Sequence, residues 1–306
     1  MQTSDSVSHL ASSPETEALE SRPFSWPAGN RLALSIVVNV EEGAEMSITE
    51  GDSHPEPVDE MGISLRTARR NLGNESNYRY GITEGFCRVA EVLREFPHPV
   101  TWTAAAVALE RAPWVAEFIR DRPDEVASHG HRWIHQFRMN EAEERDFIKR
   151  AVESITQTIG TRPVGHLSRY LFTEQTRRIL AEEGFTYHMD DYSADAPFWD
   201  TTVGRPIVVV PYAVDTNDMK MWAEPSYTPR QWLEYAIDTF DRLYAEGVNR
   251  PRMMSLGLHL RVIGRPGRIG VLETFLRHVE ERERVWVATR RAIAEHFASA
   301  VSPPPQ

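Results

Sequence analysis

The apolar positions of this chain fall into two kinds of stretch that alternate from Arg31 onward. Short runs rich in β-branched residues alternate with longer stretches in which apolar residues recur at helical spacing. Repeated strand–helix units of this kind are typical of a parallel sheet with helices packed on its faces. The pattern therefore predicts an α/β fold.

About seven strands and seven helices are predicted. The strands are 32–39, 100–104, 126–129, 164–166, 207–210, 253–259 and 285–288, and the helices are 84–96, 105–121, 141–159, 173–183, 229–246, 269–283 and 290–297. Thr228 followed by Pro229 predicts a helix start, because a threonine cap and a first-turn proline both suit a helix N-terminus. Thr173 predicts another start. No Gly/Ser-rich or Pro-rich linker interrupts 31–297, so we expect one domain over 26–298.

Three segments depart from this pattern. Residues 1–25 are rich in Ser, Thr and Glu and are predicted to form a disordered or extended arm, and 299–306, with three consecutive prolines, a flexible tail. Residues 45–80 are polar, contain Pro55 and Pro57, and show no sustained period. Because a loop this long in a compact domain is usually functional, we expect a lid or a subunit contact there.

The charge balance narrows the partners. The chain has 34 Lys and Arg against 45 Asp and Glu, a formal net charge of -11. Nucleic acids and anionic membranes both require a positive face, so we expect neither as a partner and a small neutral or polar substrate instead. Neither a signal-peptide core nor an apolar window near the roughly 20 residues of a membrane span is found, which predicts a cytoplasmic protein.

The single cysteine, Cys87, excludes an intramolecular disulfide and a cysteine-based metal cluster. It lies in a stretch with helical apolar spacing, so we expect it to be a small buried hydrophobe.

Candidate chemistry gathers where the predicted strands end, because a parallel α/β barrel assembles its active site at the carboxyl ends of its strands. The polar residues that follow the apolar runs are Asn39, Glu41, Glu42, Glu45, Ser128, His129, His131, His166, Arg169, Asp190, Asp191, Asp195, Tyr212, Asn217, Asp218, His259 and Arg261. They form a coherent set of acid, base and amide groups.

The pair Glu41 and Glu42 follows a fully apolar strand. An arbitrary pair of this kind is usually a solvated loop. Two adjacent carboxylates in one concavity repel each other, which raises the pKa of one and produces a general acid or base near neutral pH. The position after the strand favours this catalytic interpretation.

Histidines supply the second part of the predicted site. His129 emerges at a strand end beside Gly130, and His131 and His135 lie close enough in sequence for a metal site to be an alternative to a structural histidine. His259 follows another apolar run and is a candidate general acid or oxyanion donor. The Gly- and Arg-rich run at 264–268 lacks the spacing of a phosphate-binding loop and predicts a turn whose arginines pair with carboxylates.

Three motifs resemble the polysaccharide-deacetylase superfamily. They are Val-Glu-Glu-Gly at 40–43, Ser-His-Gly-X-Arg-Trp at 128–133 and Gly-Leu-His-X-Arg-X-X-Gly-Arg-Pro-Gly-Arg at 257–268. Together with segments 39–45, 78–81, 211–218 and 253–268, they look more narrowly like its allantoinase branch, over about 24–297. The resemblance implies a single-domain, NodB-like distorted (β/α) barrel with fewer than eight strands, usually tetrameric, that hydrolyses an amide bond.

The resemblance also implies roles for individual residues. Glu41 matches the base of the deacetylases and Glu42 their metal ligand, while the two ligand histidines four apart become His129 and Trp133 here. An indole cannot bind a metal, and the allantoinase-like branch, which also carries Trp there, is implied to work without a cofactor. His131 and His135 replace that branch's usual Tyr and Asp, so a zinc site of Glu42, His129 and His135 stays open as an alternative.

Segment 165–171 is a second departure, because the arginine of the allantoinase-like pattern is shifted by one position to Arg169. This departure makes allantoin itself a less favoured substrate, and the expected substrate is a cyclic amide with an allantoin-, hydantoin- or imide-like ring.

We expect Glu41 to activate water, Glu42 and His129 to position it, and His259 to stabilise the oxyanion or protonate the leaving nitrogen. The predicted substrate-binding residues are Glu45, Trp133, His166, Arg169, Asp195, Asn217, Asp218 and Arg261. The alternatives are a metal-dependent N-deacetylase of an acetylated sugar, a lactone-ring hydrolase and a non-catalytic barrel.

Overall fold

The strands of a computed structural model, which describes residues 24–223 and 226–305, form one largely parallel sheet. They are β1 (Leu32–Val40), β2 (Thr101–Ala104), β3 (Glu125–Ser128), β4 (Gly165–His166), β5 (Tyr187–His188), β6 (Phe198–Asp200), β7 (Ile207–Val209), β8 (Arg252–His259) and β9 (Val285–Val287). Their order is β6-β7-β5-β4-β3-β2-β1-β8, and β9 also pairs with β1. Only the pairing of β6 with β7 is antiparallel among the named strands. The predicted α/β class is confirmed, as a single-domain half-barrel.

Helices cover the outside of this sheet. They are α1 (Leu72–Tyr80), α2 (Phe86–Glu95), α3 (Ala106–Arg111), α4 (Pro113–Arg120), α5 (Glu141–Ile159), α6 (Thr176–Glu182), α7 (Pro229–Glu246), α8 (Leu260–Ile263), α9 (Ile269–Glu280) and α10 (Arg290–Ala300). Short 3₁₀ turns occupy Pro27–Gly29, Ile48–Glu50 and Asp218–Met221, and one π-helical turn, Gly81–Gly85, leads into α2.

The central strand β1 determines which polar residues meet at the carboxyl end of the sheet. All nine of its residues are buried, and it pairs in parallel with β2, β8 and β9. Asn39 is in register with Thr103 of β2 and with His259 of β8. The end of β1 therefore brings Glu41 to the same rim as His259.

The bounds of α5 and α7 match the prediction, and each helix begins with a capping box, formed by Asn140 with Glu143 and by Thr228 with Gln231. In such a box the side chains of the cap and of the third helical residue satisfy each other's backbone N–H groups. Local sequence chemistry therefore fixes these two starts.

Several predicted elements need correction. Stretch 105–121 is two helices, because Pro113 begins a new one at its first turn. The helix start expected at Thr173 moves to Thr176, after a turn in which the Thr173 hydroxyl accepts the backbone N–H of Gln175 at 3.1 Å. Strands β5 and β6 were not predicted, because neither contains a β-branched residue.

The two ends of the described chain pack together. Phe24, within the predicted arm, contacts Trp26 and Phe297 edge to face. Residues 299 and 300 belong to α10, and Trp199 Nε1 donates to the carbonyl of Val301 at 2.9 Å, so the expected tail begins later than predicted. Residues 1–23 of the arm lie outside the described residues.

Two further expectations concern exposure. Cys87 is exposed, because Phe86, Val89 and Ala90 take the buried face of α2, and the predicted buried thiol is wrong. In the part of the chain that the structure describes, no helix combines the length and apolar character needed to cross a membrane.

Candidate active site

A cavity of about 460 Å³ opens where β1, β3 and β8 end. Its polar lining includes Asn39, Glu41, His129, Asn217 and His259. Its apolar and aromatic lining includes Val58, Trp133, Leu167, Tyr170, Tyr192, Tyr212, Val214, Met219 and Trp222. The cavity thus joins a small acid–base cluster to a large apolar wall.

Glu41 lies at the centre of the polar cluster and is buried. Its Oε2 accepts from Nη1 of Arg261 at 2.6 Å, while Oε1 lies 3.3 Å from Nε2 of His259 and 3.5 Å from Nε2 of His129. Burial opposes ionisation, but the positive charges of His259 and Arg261 outweigh it and hold the pKa of Glu41 well below its usual range. Glu41 is therefore a carboxylate at neutral pH.

His259 is held by Asp218. Asp218 Oδ1 lies 2.6 Å from Nδ1 of the imidazole, and Oδ2 accepts the backbone N–H groups of His259 and Ile263 at 2.7 and 3.1 Å. Burial lowers the pKa of His259, but the carboxylates of Glu41 and Asp218 outweigh it and raise that pKa to about 10. His259 is therefore an imidazolium that directs its Nε2–H toward Glu41.

Two hydrogen bonds fix where His129 carries its proton. Trp133 Nε1 is 3.1 Å from Nε2 of His129, and Nδ1 of His129 is 2.6 Å from the carbonyl oxygen of Leu167. An indole N–H can only donate and a carbonyl oxygen can only accept. The proton of His129 is consequently on Nδ1, and the lone pair of Nε2 is occupied by Trp133.

Glu42 turns away from the cavity. Its Oε2 accepts the backbone N–H of Glu41 and its Oε1 that of Arg261, each at 3.1 Å. A Cβ at position 81 would lie 2.4 Å from Oε1, so Gly81 makes room for this carboxylate. Burial, opposed by Arg261 and assisted by the charge of Glu41, raises the pKa of Glu42. The predicted rise within the pair thus falls on Glu42, which does not line the cavity and cannot position water there.

Arg261 is the fixed cation of the cluster. Its guanidinium binds Glu41, lies 3.6 Å from Glu42, and stacks over Tyr78 and Trp133 with centroid distances of 4.4 and 5.3 Å. It is buried and outside the cavity lining. A contact with substrate was predicted for Arg261, whereas its guanidinium forms an ion pair with Glu41. Asp218 likewise positions His259 instead of binding substrate.

Arg169 lines the cavity as predicted, but its charge is already paired. Glu56 accepts from both terminal nitrogens of Arg169 at 2.5 and 2.9 Å, and the guanidinium lies 3.6 Å from the centroid of Trp133. Glu56 belongs to the polar segment 45–80, which also contributes Val58 to the cavity. The segment predicted to be a lid or a subunit contact thus contributes Val58 to the cavity lining, and Glu56, the ion-pair partner of Arg169, is a residue that sequence reasoning missed.

Three predicted substrate-binding residues lie elsewhere. Glu45 accepts the N–H of Gly43 at 2.6 Å outside the cavity lining, and burial raises its pKa to about 7. His166 is fully buried behind the site with its ring against Phe185. Asp195 is exposed and lines a separate surface pocket. Only Trp133, Arg169 and Asn217 of the predicted binding set line the cavity.

The alternative zinc ligands do not come together. His135 lines the cavity, but its Nδ1 lies 3.1 Å from the carbonyl oxygen of Arg169, while Glu42 and His129 are engaged as described above. Across residues 24–223 and 226–305, no group of three or more His, Cys, Asp or Glu side chains could hold a metal ion. The proposed set of Glu42, His129 and His135 is therefore corrected.

Comparisons with known proteins identify a matching family and several similar proteins. The family model for Polysaccharide deacetylase matches residues 77–188. A Schizosaccharomyces pombe protein assigned by name to the polysaccharide deacetylases is 33% identical over 298 residues, covering 90% of this chain and 92% of the relative. The Peptidoglycan deacetylase of Helicobacter pylori is 24% identical over 246 residues, covering 70% and 83%. The crystal structure of Puue Allantoinase superposes with a TM-score of 0.87 at 37% identity, covering 94% of this chain and 96% of that chain.

The half-barrel and its acid–base cluster define an α/β protein that carries its chemistry at the carboxyl ends of parallel strands. With 33% identity to a relative over 90% of its length, this chain belongs to the polysaccharide deacetylase family. It is a hydrolase of that family. The predicted superfamily is confirmed, and the allantoinase-like branch stays a prediction.

Proposed function

We propose that this hydrolase opens a cyclic amide or imide ring with water and without a metal cofactor. The observation that carries the proposal is the hydrogen bond from Trp133 Nε1 to His129 Nε2, which occupies the nitrogen that a metal-binding histidine would use. The 37% identity to a structure named allantoinase supports a ring substrate.

The proton transfers follow from the charge states of two residues. Glu41, ionised, accepts a proton from the attacking water through Oε1, and His259, protonated, donates from Nε2 to the leaving ring nitrogen. The water oxygen bonds to the carbonyl carbon, the C–N bond breaks, and the nitrogen keeps the proton. Both groups stand in the required charge state at neutral pH.

A divalent metal does not fit these residues. Arg261 already supplies a cation 2.6 Å from Glu41, and both carboxylate oxygens of Glu42 accept hydrogen bonds from backbone N–H groups. A second cation beside Glu41 would face the positive charges of both Arg261 and His259. The fixed arginine thus balances the base electrostatically.

Dialysis against a strong chelator is expected to leave the rate of ring opening unchanged within about twofold. The physical reason is that Trp133 and Arg261 occupy the positions from which a metal would be bound. Elemental analysis of the purified protein should find less than one equivalent of divalent metal. Stoichiometric zinc, together with loss of activity in the chelator and its return on adding zinc, would contradict the metal-free scheme.

Rings with an apolar substituent are expected to be better substrates than bare rings. The cavity wall contains Tyr170, Tyr192, Val214, Met219 and Trp222, and burying about 100 Å² of apolar surface contributes about 2.5 kcal/mol. Even with half of that lost to imperfect packing, kcat/KM should be about tenfold higher for phthalimide than for succinimide, and for 5-phenylhydantoin than for hydantoin. Ring-opening assays followed by ultraviolet absorbance measure both pairs.

These four compounds form a ring panel, which also contains allantoin, dihydrouracil and a γ-lactone to vary the polarity and the leaving group of the ring. A higher kcat/KM for allantoin or for the bare rings than for the substituted rings would overturn the apolar preference.

N-deacetylation of an acetylated sugar is the second candidate, because the matched family model and two relatives are named polysaccharide or peptidoglycan deacetylases. Acetate release from chitooligosaccharides and from peptidoglycan fragments tests it beside the ring panel. Acetate release without any ring opening would favour this candidate.

A further inference from the structure

The hydroxyl of Tyr212 lies between two amide side chains at the level of the active-site cluster. Its Oη is 2.9 Å from Nδ2 of Asn39 and 3.4 Å from Nδ2 of Asn217. Tyr212, Asn39 and Asn217 all line the cavity that contains Glu41 and His259. The hydroxyl of Tyr212 therefore belongs to the candidate active site, and the direction of its O–H bond matters for the chemistry there.

Two backbone groups fix the direction of these hydrogen bonds. Nδ2 of Asn39 also donates to the carbonyl oxygen of Leu258 at 2.9 Å, and a carbonyl can only accept. Oδ1 of Asn217 accepts the backbone N–H of Met219 at 2.9 Å, and an N–H can only donate. Both amides consequently present N–H groups to Tyr212, and the phenolic oxygen is the acceptor in both bonds.

A phenol that accepts still has one proton to donate. Within the described part of the chain, no hydrogen-bond acceptor for the Tyr212 O–H is found. Burial, together with the carboxylates of Asp218 and Glu41, raises the pKa of Tyr212 above its ordinary value despite the opposing effects of Asn39 and Arg290. The hydroxyl therefore keeps its proton at neutral pH.

The surrounding residues hold Tyr212 in this place. A Cβ at position 257 would lie 2.6 Å from Oη, so Gly257 of β8 provides the space that the hydroxyl occupies. The guanidinium of Arg290 lies over the ring of Tyr212, 5.3 Å from the ring centroid. A donor held in this way needs little reorganisation during a reaction, which is what makes oxyanion stabilisation effective.

We propose that Tyr212 is a catalytic residue whose O–H donates a hydrogen bond to the oxyanion formed when water attacks the substrate carbonyl. The attack turns the C=O into C–O⁻, and the carbonyl reforms as the C–N bond breaks. Tyr212 transfers no proton in either step. The inference rests on the proposed function in requiring amide hydrolysis in this cavity, but not on the identity of the ring.

Tyr212→Phe tests this role because it removes the donor and keeps the ring. On the fastest compound of the ring panel, we expect kcat to fall about 10²- to 10³-fold, as for loss of one oxyanion donor, while KM changes less than about threefold. Tyr187→Phe and Tyr244→Phe are matched controls, since each removes a tyrosine hydroxyl outside the cavity lining, one that donates to Oε1 of Glu125 at 2.7 Å and one that donates to the carbonyl of Glu283 at 2.9 Å. Each control should keep kcat within about twofold.

A second measurement separates catalysis from pocket building, because Tyr212→Phe removes the acceptor of one N–H of Asn39 and of one N–H of Asn217. In the Glu41→Gln background, calorimetry compares the Kd of the same compound with and without Tyr212→Phe, and thermal unfolding checks the fold. An unchanged Kd with the expected loss of kcat supports the proposal. A kcat within about threefold of wild type, or a Kd weakened in proportion to kcat, overturns it.

The two proposals fail in different ways. If the wild type releases acetate from sugars and opens no ring, the proposed function fails, and Tyr212→Phe is measured on acetate release, since an oxyanion forms there too. If the wild type acts on neither panel, both proposals are overturned.

Discussion

Glu41→Gln is expected to lower kcat by about 10³- to 10⁴-fold, at the upper end of what general-base catalysis contributes. The amide has nearly the shape of the carboxylate but cannot take a proton from water. It also leaves the buried charges of Arg261 and His259 without their shared counter-charge. Steady-state kinetics on the fastest ring compound, with calorimetric binding of the same compound, measure the effect.

Glu45→Gln is the matched control, because Glu45 lies four residues away in the same loop and outside the cavity lining. It should keep kcat within about threefold. A Glu41→Gln protein whose kcat stayed within tenfold of wild type would remove Glu41 from the role of base. Unchanged binding and no turnover in either protein would instead favour the non-catalytic barrel.

The sequence could locate those site residues whose positions are set by the pairing register of the parallel strands. Glu41 and His129 directly follow β1 and β3, His259 is the last residue of β8, and parallel pairing brings these positions to one rim. Asn39 lies in register with His259, so their proximity follows from the topology alone. These three residues therefore needed only the strand assignments and the rule that parallel sheets carry chemistry at their carboxyl ends.

Which partner each charged side chain would choose could not be read from the sequence. Arg261 and Asp218 were expected to bind substrate, but Arg261 is paired with Glu41 and Asp218 with His259, because a buried charge without a counter-charge is strongly unfavourable. The pairing also decides the direction of the pKa shifts, so that the pKa of Glu41 is lowered and the pKa of its neighbour Glu42 is raised. Two adjacent glutamates thus differ because only one faces two cations.

Contacts across long loops were equally hidden. Glu56 binds Arg169 across 113 positions of the chain, and nothing in the aperiodic segment 45–80 marks it out from its neighbours. The cavity wall at Tyr170, Tyr192 and Trp222 also comes from segments outside the helices and strands. Substrate specificity is therefore least accessible where the chain has no regular period.

Asp218→Asn is expected to lower kcat about 10²- to 10⁴-fold and to change its pH dependence. The carboxylate accepts from Nδ1 and from the backbone N–H of His259, and an amide presents only one acceptor oxygen. Its loss removes one of the two charges that raise the pKa of His259 to about 10. Because the imidazolium is the proton donor, activity falls as pH rises through that pKa, and the variant must lose activity at lower pH.

The measurement is the alkaline limb of kcat/KM, which reports ionisations of the free enzyme. For the wild type we expect activity to persist through neutral pH and to decline near pH 10, and for Asp218→Asn the decline should move toward the ordinary histidine range. Asp215→Asn is the matched control, since this aspartate is exposed and binds the hydroxyl of Tyr235 at 2.9 Å outside the cavity. An alkaline limb that stayed in place in Asp218→Asn would mean that His259 does not donate the proton.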